Sequence, residues 1–225
     1  MTQMLLGISP DWTPTLENFV AGSNVELLSA LNHALNKTHA EGGFYIWGEV
    51  GGGKTHLLQA AVDKAQKLGI TAEYAHGSVP KSAQLVVIDD VELLDDAAQI
   101  ALFALFNCQR EARAMLLVSG SAAPIHLTLR DDLRTRLAWG LVYQVQSLSD
   151  EEKALALQSH ANSRGFELTP EVIQYLLRHG RRDLPALLAV LDALDEHCLR
   201  LKRSASVPLL KVVMQQMSGS DAQTL

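Results

Sequence analysis

The chain has 225 residues, of which 48% are hydrophobic and 20% charged, and 19 Lys and Arg stand against 25 Asp and Glu for a formal net charge of -6. Disordered, collagen-like and coiled-coil classes do not have this composition, and an acidic chain does not hold duplex DNA by its own charge, because phosphate binding needs clustered Lys and Arg. No apolar run reaches the roughly 18 residues of a membrane span, and residues 1–10 lack both the basic start and the long apolar core of a signal peptide, so a soluble cytoplasmic protein with no membrane partner is expected.

In chain order, residues 24–39 place Leu27, Leu28, Leu31, Ala34 and Leu35 on one helical face, which predicts an amphipathic helix. Residues 43–47 read as a short buried strand stopped by Gly48, with a helix over 54–68 after a glycine-rich turn. Further strands are expected at 70–75, 84–88, 114–118 and 141–145, with a helix over 96–111. This alternation implies a parallel sheet with helices on both faces. Past Ser147 only helical patterns remain. Ser149 and Glu152 have capping-box spacing, Thr169-Pro170 offers an N-cap followed by proline at the first helical position, and Gly165 and Gly180 are stop signals. A long helix over 183–202 and a last one from about Pro208 complete a small bundle. The fold class is therefore α/β, a parallel sheet flanked by helices and followed by a small all-α domain. The expected boundaries are 10–147 for the α/β domain, 148–217 for the helical one and 218–225 for a polar tail. Splitting the charges at residue 148 leaves 10 basic and 15 acidic residues before it and 9 and 10 after, so neither part is a basic nucleic-acid module and no sequence-specific DNA binding is expected. Cys108 and Cys198 lie far apart with no second Cys or His at zinc spacing, which indicates neither a disulfide framework nor a zinc module.

Four constellations carry chemistry. Gly48-Glu49-Val50-Gly51-Gly52-Gly53-Lys54-Thr55 fits G-x-x-x-x-G-K-[ST] between a predicted strand and a predicted helix, the context of a phosphate-binding P-loop. Glycines let successive N–H groups point inward, the helix N-terminus adds its positive end, Lys54 reaches the β- and γ-phosphates and Thr55 can hold Mg²⁺. Leu85-Val86-Val87-Ile88-Asp89-Asp90 is an apolar strand ending in two carboxylates, Asp89 for the Mg²⁺ shell and Asp90 to orient an attacking water. Arg134 and Arg136 lie on a short helix before the last strand. An arginine there either reaches a γ-phosphate held by a neighbouring subunit or is a solvated residue paired with Asp131 and Asp132. The end of the fourth strand, Val118-Ser119-Gly120-Ser121, either touches the γ-phosphate or is plain turn chemistry before Pro124.

These residues resemble the DnaA-related branch of the AAA+ ATPases. The resemblance rests on Leu16-Glu17-Asn18-Phe19-Val20-Ala21-Gly22-Ser23-Asn24, the P-loop continuing into Lys54-Thr55-His56-Leu57-Leu58, the Asp89-Asp90 pair, Arg136-Leu137-Ala138-Trp139-Gly140, and, in the helical part, Gly165-Phe166-Glu167-Leu168 and Leu191-Asp192-Ala193-Leu194-Asp195. It runs through nearly the whole chain and is nearest to the regulators that inactivate the initiator DnaA. The helical domain is then a lid, and the nucleotide, ADP or ATP with Mg²⁺, is bound by Gly48, Gly51, Gly52, Gly53, Lys54, Thr55, His56, Asp89, Ser121 and Arg182. Arg136 becomes an arginine finger acting on ATP held by DnaA. Residues 1–9 resemble a peptide that docks on the replication sliding clamp through Gln3, Met4, Leu5 and Leu6, a short extended segment suited to a surface groove. Self-association is a further implied contact. Residues 76–83 are a short linker where an initiator carries a long helical insertion, and no basic helix-turn-helix follows the lid.

Two departures bear on chemistry. Pro185 stands where the family's lid helix presents a nucleotide-sensing arginine, and Ser121 stands where an acidic sensor is usual. Arg181 or Arg182 either substitutes or is solvated. Three functions remain open: an adaptor that triggers hydrolysis on DnaA, an autonomous ATPase loader or remodelling motor using Asp90 for itself, and a DnaA-type docking module without clamp involvement.

Overall fold

In a computed structural model, residues 13–36 and 43–221 are described. They form two compact units: 13–19, 26–36, 43–47 and 54–144 make the first, and 20–25, 48–53 and 145–221 the second.

The first unit is built on a five-stranded, all-parallel sheet of β1 (Gly43–Trp47), β2 (Ala72–His76), β3 (Leu85–Asp89), β4 (Met115–Gly120) and β5 (Leu141–Gln144), in the order β2-β3-β4-β1-β5. β3 and β4 are buried along their whole length, and their sequences Leu-Val-Val-Ile-Asp and Met-Leu-Leu-Val-Ser-Gly are the continuous apolar runs that a strand covered on both faces requires. Helix α2 (Lys54–Lys67) packs against β2, β3 and β4, whereas α3 (Asp96–Glu111) and α4 (Asp131–Leu137) pack on each other and against β4 and β1. Side chains alternate across a strand. Tyr45, Val86, Ile88, Leu116 and Val118 thus share one face with Leu102, Leu105, Phe106, Leu133 and Leu137 of α3 and α4 in a single core. The intervening positions Val87, Asp89, Leu117 and Ser119 point the other way, toward the α2 side. A turn of 3-10 helix, Gly22–Asn24, leads into α1 (Val25–Asn36), which buries Leu27, Leu31 and Leu35. The sequence pattern extends this helix to residue 39, but α1 ends at Asn36, and 37–42 lie outside the described residues.

β5 is kept beside β1 by a close backbone approach. A Cβ added to Gly140 would overlap the carbonyl oxygen and carbon of Gly43, and backbone cannot swing aside. Gly140→Ala is expected to lower the unfolding free energy by about 1–3 kcal/mol, read as a lower thermal midpoint; an unchanged midpoint would show that the strands are not held this closely.

The second unit contains α5 (Asp150–Ser163), α6 (Pro170–His179), α7 (Leu184–Leu201) and α8 (Val207–Asp221). Ser149 and Glu152 make both halves of the capping box. Leu157, Ala161, Val172, Ile173, Leu176, Leu187, Leu188, Leu191, Leu194, Leu210 and Val213 fill the bundle core. Arg164 bridges Asp192 at 3.3 Å and Asp195 at 3.2 Å, joining the end of α5 to the middle of α7. Three sequence expectations shift. Thr169 is the N-cap of α6 and Pro170 its first residue, as the sequence predicts, but the Thr169 side chain makes no capping bond and its carbonyl accepts the Val172 N–H at 3.1 Å. Gly180 ends α6 with an ordinary φ of -80° by donating its N–H to the Leu176 carbonyl at 2.8 Å, whereas Gly165 has the left-handed φ of 69° typical of a helix stop. The polar residues after Ser218 do not all fall outside helix, since α8 runs to Asp221.

Candidate nucleotide site

Because every strand is parallel, the carboxyl ends of β1, β3 and β4 lie at one edge of the sheet, the edge at which open α/β sheets bind ligands. The P-loop follows β1 there and runs directly into α2. Gly51 and Gly53 have φ of 79° and 101°. Residues with a Cβ rarely adopt these values, so the glycines let the loop curl. Within the second unit this loop lies near Val145 and Ser147: a Cβ at Gly48 would be 2.5 Å from the Val145 carbonyl oxygen, and one at Gly52 would be 3.2 Å from Ser147 Oγ. One at Gly51 would be 3.6 Å from Cβ of Asp183, the residue that caps α7 by accepting the N–H of Ala186.

Lys54 and Thr55 open α2, Lys54 buried and Thr55 exposed. The Thr55 hydroxyl donates to Oδ2 of Asp89 at 2.7 Å. Asp89 is 1% exposed and accepts two further hydroxyls: Tyr74 donates to Oδ2 at 2.9 Å and Ser119 to Oδ1. A hydroxyl at the start of α2 and a carboxylate at the end of β3 in direct contact are hard oxygen donors of the kind Mg²⁺ takes, which needs only one or two protein groups besides phosphate and water. No group of three or more His, Cys, Asp and Glu is placed to hold a metal among the described residues.

The next residue, Asp90, takes the left-handed conformation (φ 50°) as the chain leaves β3. Its N–H donates to Ser119 Oγ at 2.9 Å, and its carboxylate lies 3.4 Å from Nε2 of His76. Ser119 therefore ties the two carboxylate residues together. Sequence reading singles out Ser121 from that strand end, but Ser121 is exposed beyond β4, and the residue that reaches Asp89 is Ser119. Tyr74 is likewise missed from sequence.

His56 packs on residues 15–19 of the first unit. Its Nε2 is 3.0 Å from the Thr15 carbonyl and its ring meets Phe19 edge-on, 5.3 Å between centroids. Thr15 and Asn18 exchange side-chain and backbone hydrogen bonds at 2.9 and 3.1 Å, so His56 anchors a locally braced segment. Burial lowers the His56 pKa, opposed by the bond to Thr15. A histidine harder to protonate in the fold than in the unfolded chain contributes no penalty above the ordinary value near 6.5 and destabilises as pH falls through that value, until the lowered one is passed. The wild-type thermal midpoint is thus expected to drop more between about pH 7 and 5 than that of His56→Gln; parallel curves would contradict this.

Arg136, in the last turn of α4, lays its guanidinium over the Trp139 ring at 4.0 Å and lies 5.4 Å from the Phe103 ring centre. Trp139 itself is 58% exposed. Arg134, the other basic residue of this turn, pairs instead with Asp131 at 2.7 Å. In the second unit Arg182 is exposed and Arg181 bonds to Asp183 at 3.2 Å. Pro185 is the second residue of α7. Gln3, Met4, Leu5 and Leu6 lie outside the described residues.

Two family profiles match the chain: one described as the lid domain of Hda over residues 150–214, and one described as the bacterial DnaA ATPase domain over residues 11–75. The chain belongs to the Hda-type, DnaA-related AAA+ proteins. An uncharacterized protein of Haemophilus influenzae (strain Rd) is 34% identical over 215 residues, covering 89% of this chain and 93% of its own. Domain III of DnaA from Thermotoga maritima superposes with a TM-score of 0.75 at 20% identity, over 92% of this chain and 97% of that one, which speaks to the fold. The AMPPCP-bound DnaA of Aquifex aeolicus is 25% identical with a TM-score of 0.69, over 81% of this chain; the chain spans 65%, under two thirds, of that DnaA. No helix among the described residues is long and apolar enough to cross a membrane.

Proposed function

We propose that this chain is a nucleotide-bound adaptor of replication control. It holds ADP or ATP at Gly48–Thr55, docks on the DNA-loaded sliding clamp through Gln3 to Leu6, and stimulates hydrolysis of ATP bound to DnaA through Arg136, restraining re-initiation. The observation that carries the adaptor reading is the first turn of α7, Leu184-Pro185-Ala186-Leu187, which has no cation, in a chain whose Thr55–Asp89 pair is already in contact. Such a chain is equipped to hold a nucleotide and lacks the lid arginine that its relatives use to sense one.

The backbone N–H groups of the loop and the Lys54 ammonium neutralise phosphate charge. Mg²⁺, held by the Thr55 hydroxyl and the Asp89 carboxylate, supplies further charge neutralisation when bound. Arg136 acts on the partner's nucleotide: the γ-phosphoryl passes through a loose transition state with charge spread over its equatorial oxygens and developing on the leaving oxygen, and a planar guanidinium stabilises that charge. Stacking on Trp139 limits the arginine's rotamer freedom, so less entropy is lost when it is inserted. AMPPCP in the Aquifex DnaA supports an adenine nucleotide as the ligand.

The competing motor reading has one observation of its own, the Asp89-Asp90 pair at the end of β3. The two separate in steady-state ATP turnover by the chain alone. The adaptor account expects turnover indistinguishable from background, and turnover at about 1 s⁻¹ or faster would make the chain a motor.

A further inference from the structure

We infer that Tyr74 is a positioning residue for the metal side of this nucleotide site, holding the Asp89 carboxylate in the orientation that Mg²⁺ binding requires. The inference rests on the nucleotide-binding reading above and deepens it.

Parallel register explains how a residue fifteen positions away reaches Asp89. Tyr74 of β2 pairs with Val87 and His76 with Asp89, so Tyr74 sits on the same face as Asp89, one same-face step toward the strand start. A tyrosine is long enough to cover that step, and its hydroxyl ends 2.9 Å from Oδ2. The face is the one covered by α2, on which Thr55 and Gln59 are four residues apart and therefore neighbours. Gln59 contacts the Tyr74 hydroxyl and Thr55 contacts Asp89. The Tyr74 hydroxyl donates to the carboxylate.

An ionised carboxylate has about four lone-pair sites. Ser119 takes one on Oδ1, and Thr55 and Tyr74 take two on Oδ2. Both oxygens are thereby fixed in rotation about the terminal bond, and one site, on Oδ1, remains. Removing the tyrosine hydroxyl leaves Oδ2 held by Thr55 alone, the same hydroxyl that is to hold the metal, so the carboxylate loses its one anchor on that oxygen that is independent of the metal. Ser119 cannot compensate, since its single hydroxyl hydrogen is already given to Oδ1.

The test is ADP affinity by titration calorimetry in excess Mg²⁺ and in EDTA, for wild type, Tyr74→Phe and Thr55→Ala. Wild type is expected to bind more tightly with Mg²⁺. Tyr74→Phe should keep its EDTA affinity and lose roughly tenfold of the Mg²⁺-linked gain, and Thr55→Ala should lose nearly all of it. An equal Mg²⁺ gain in Tyr74→Phe and wild type overturns the assignment, as does a loss of affinity that is the same with and without Mg²⁺, which marks a merely structural tyrosine. Absence of ADP binding by wild type overturns the nucleotide reading itself, and the inference with it. Should Tyr74→Phe fold poorly, Ser119→Ala removes the Oδ1 constraint instead and must show the same selective loss.

Discussion

Arg136→Ala is expected to abolish stimulation of hydrolysis of DnaA-bound ATP, a fall of about 10³-fold or more, while ADP binding by this chain stays unchanged. The selectivity follows from the surroundings of Arg136. Its guanidinium lies against the rings of Trp139 and Phe103, and the cation–π contacts at this partly exposed site are worth about 1 kcal/mol. Arg134, two residues earlier, is committed to Asp131 and serves as the control: Arg134→Ala is expected to leave most of the stimulation. Loss of ADP binding in Arg136→Ala, measured by calorimetry, would instead make the arginine a structural or nucleotide-side residue of its own chain.

Lys54→Ala has the second largest expected effect, a loss of about 10- to 100-fold in nucleotide affinity, from one or two charge-assisted hydrogen bonds to phosphate. Lys54 is buried at the first position of α2, where its ammonium and the helix N-terminus act on the same anion. An adaptor that needs bound nucleotide should lose stimulation of DnaA in parallel at limiting nucleotide and regain it when nucleotide is raised. Unchanged affinity in Lys54→Ala would remove the phosphate role assigned to this loop.

What was legible in the sequence was local. The P-loop could be read because its spacing, flanking strand and following helix all lie within 30 residues, and the Ser149–Glu152 capping box because both halves sit in one turn. The carboxylates ending β3 were visible because an apolar run that closes on Asp89-Asp90 is conspicuous. Tyr74 and Ser119 were not, because their role depends on strand register, which no local pattern specifies: Tyr74 faces Asp89 only because β2 pairs with β3 at Tyr74–Val87, and Ser119 only because β4 pairs with β3 at Val118–Ile88. The same limit applies to His56. The resemblance groups it with the nucleotide-binding residues, but its contacts with Thr15 and Phe19, about forty positions earlier, are written in no local pattern. Strand order was equally illegible, since β1 ends up between β4 and β5. The uncharged first turn of α7 could be read directly, because Pro185 is a statement about one position.

The central claim is that this chain acts on a nucleotide it does not hold. Single-turnover hydrolysis of ATP prebound to DnaA, with and without this chain, ADP and clamp loaded on DNA, tests it most directly, with a Gln3→Ala, Leu6→Ala double variant alongside. The account predicts rapid conversion to ADP only when chain, nucleotide and loaded clamp are all present, and a return to the basal rate with the double variant. A DnaA-bound ATP lifetime that is the same with and without the chain would contradict it.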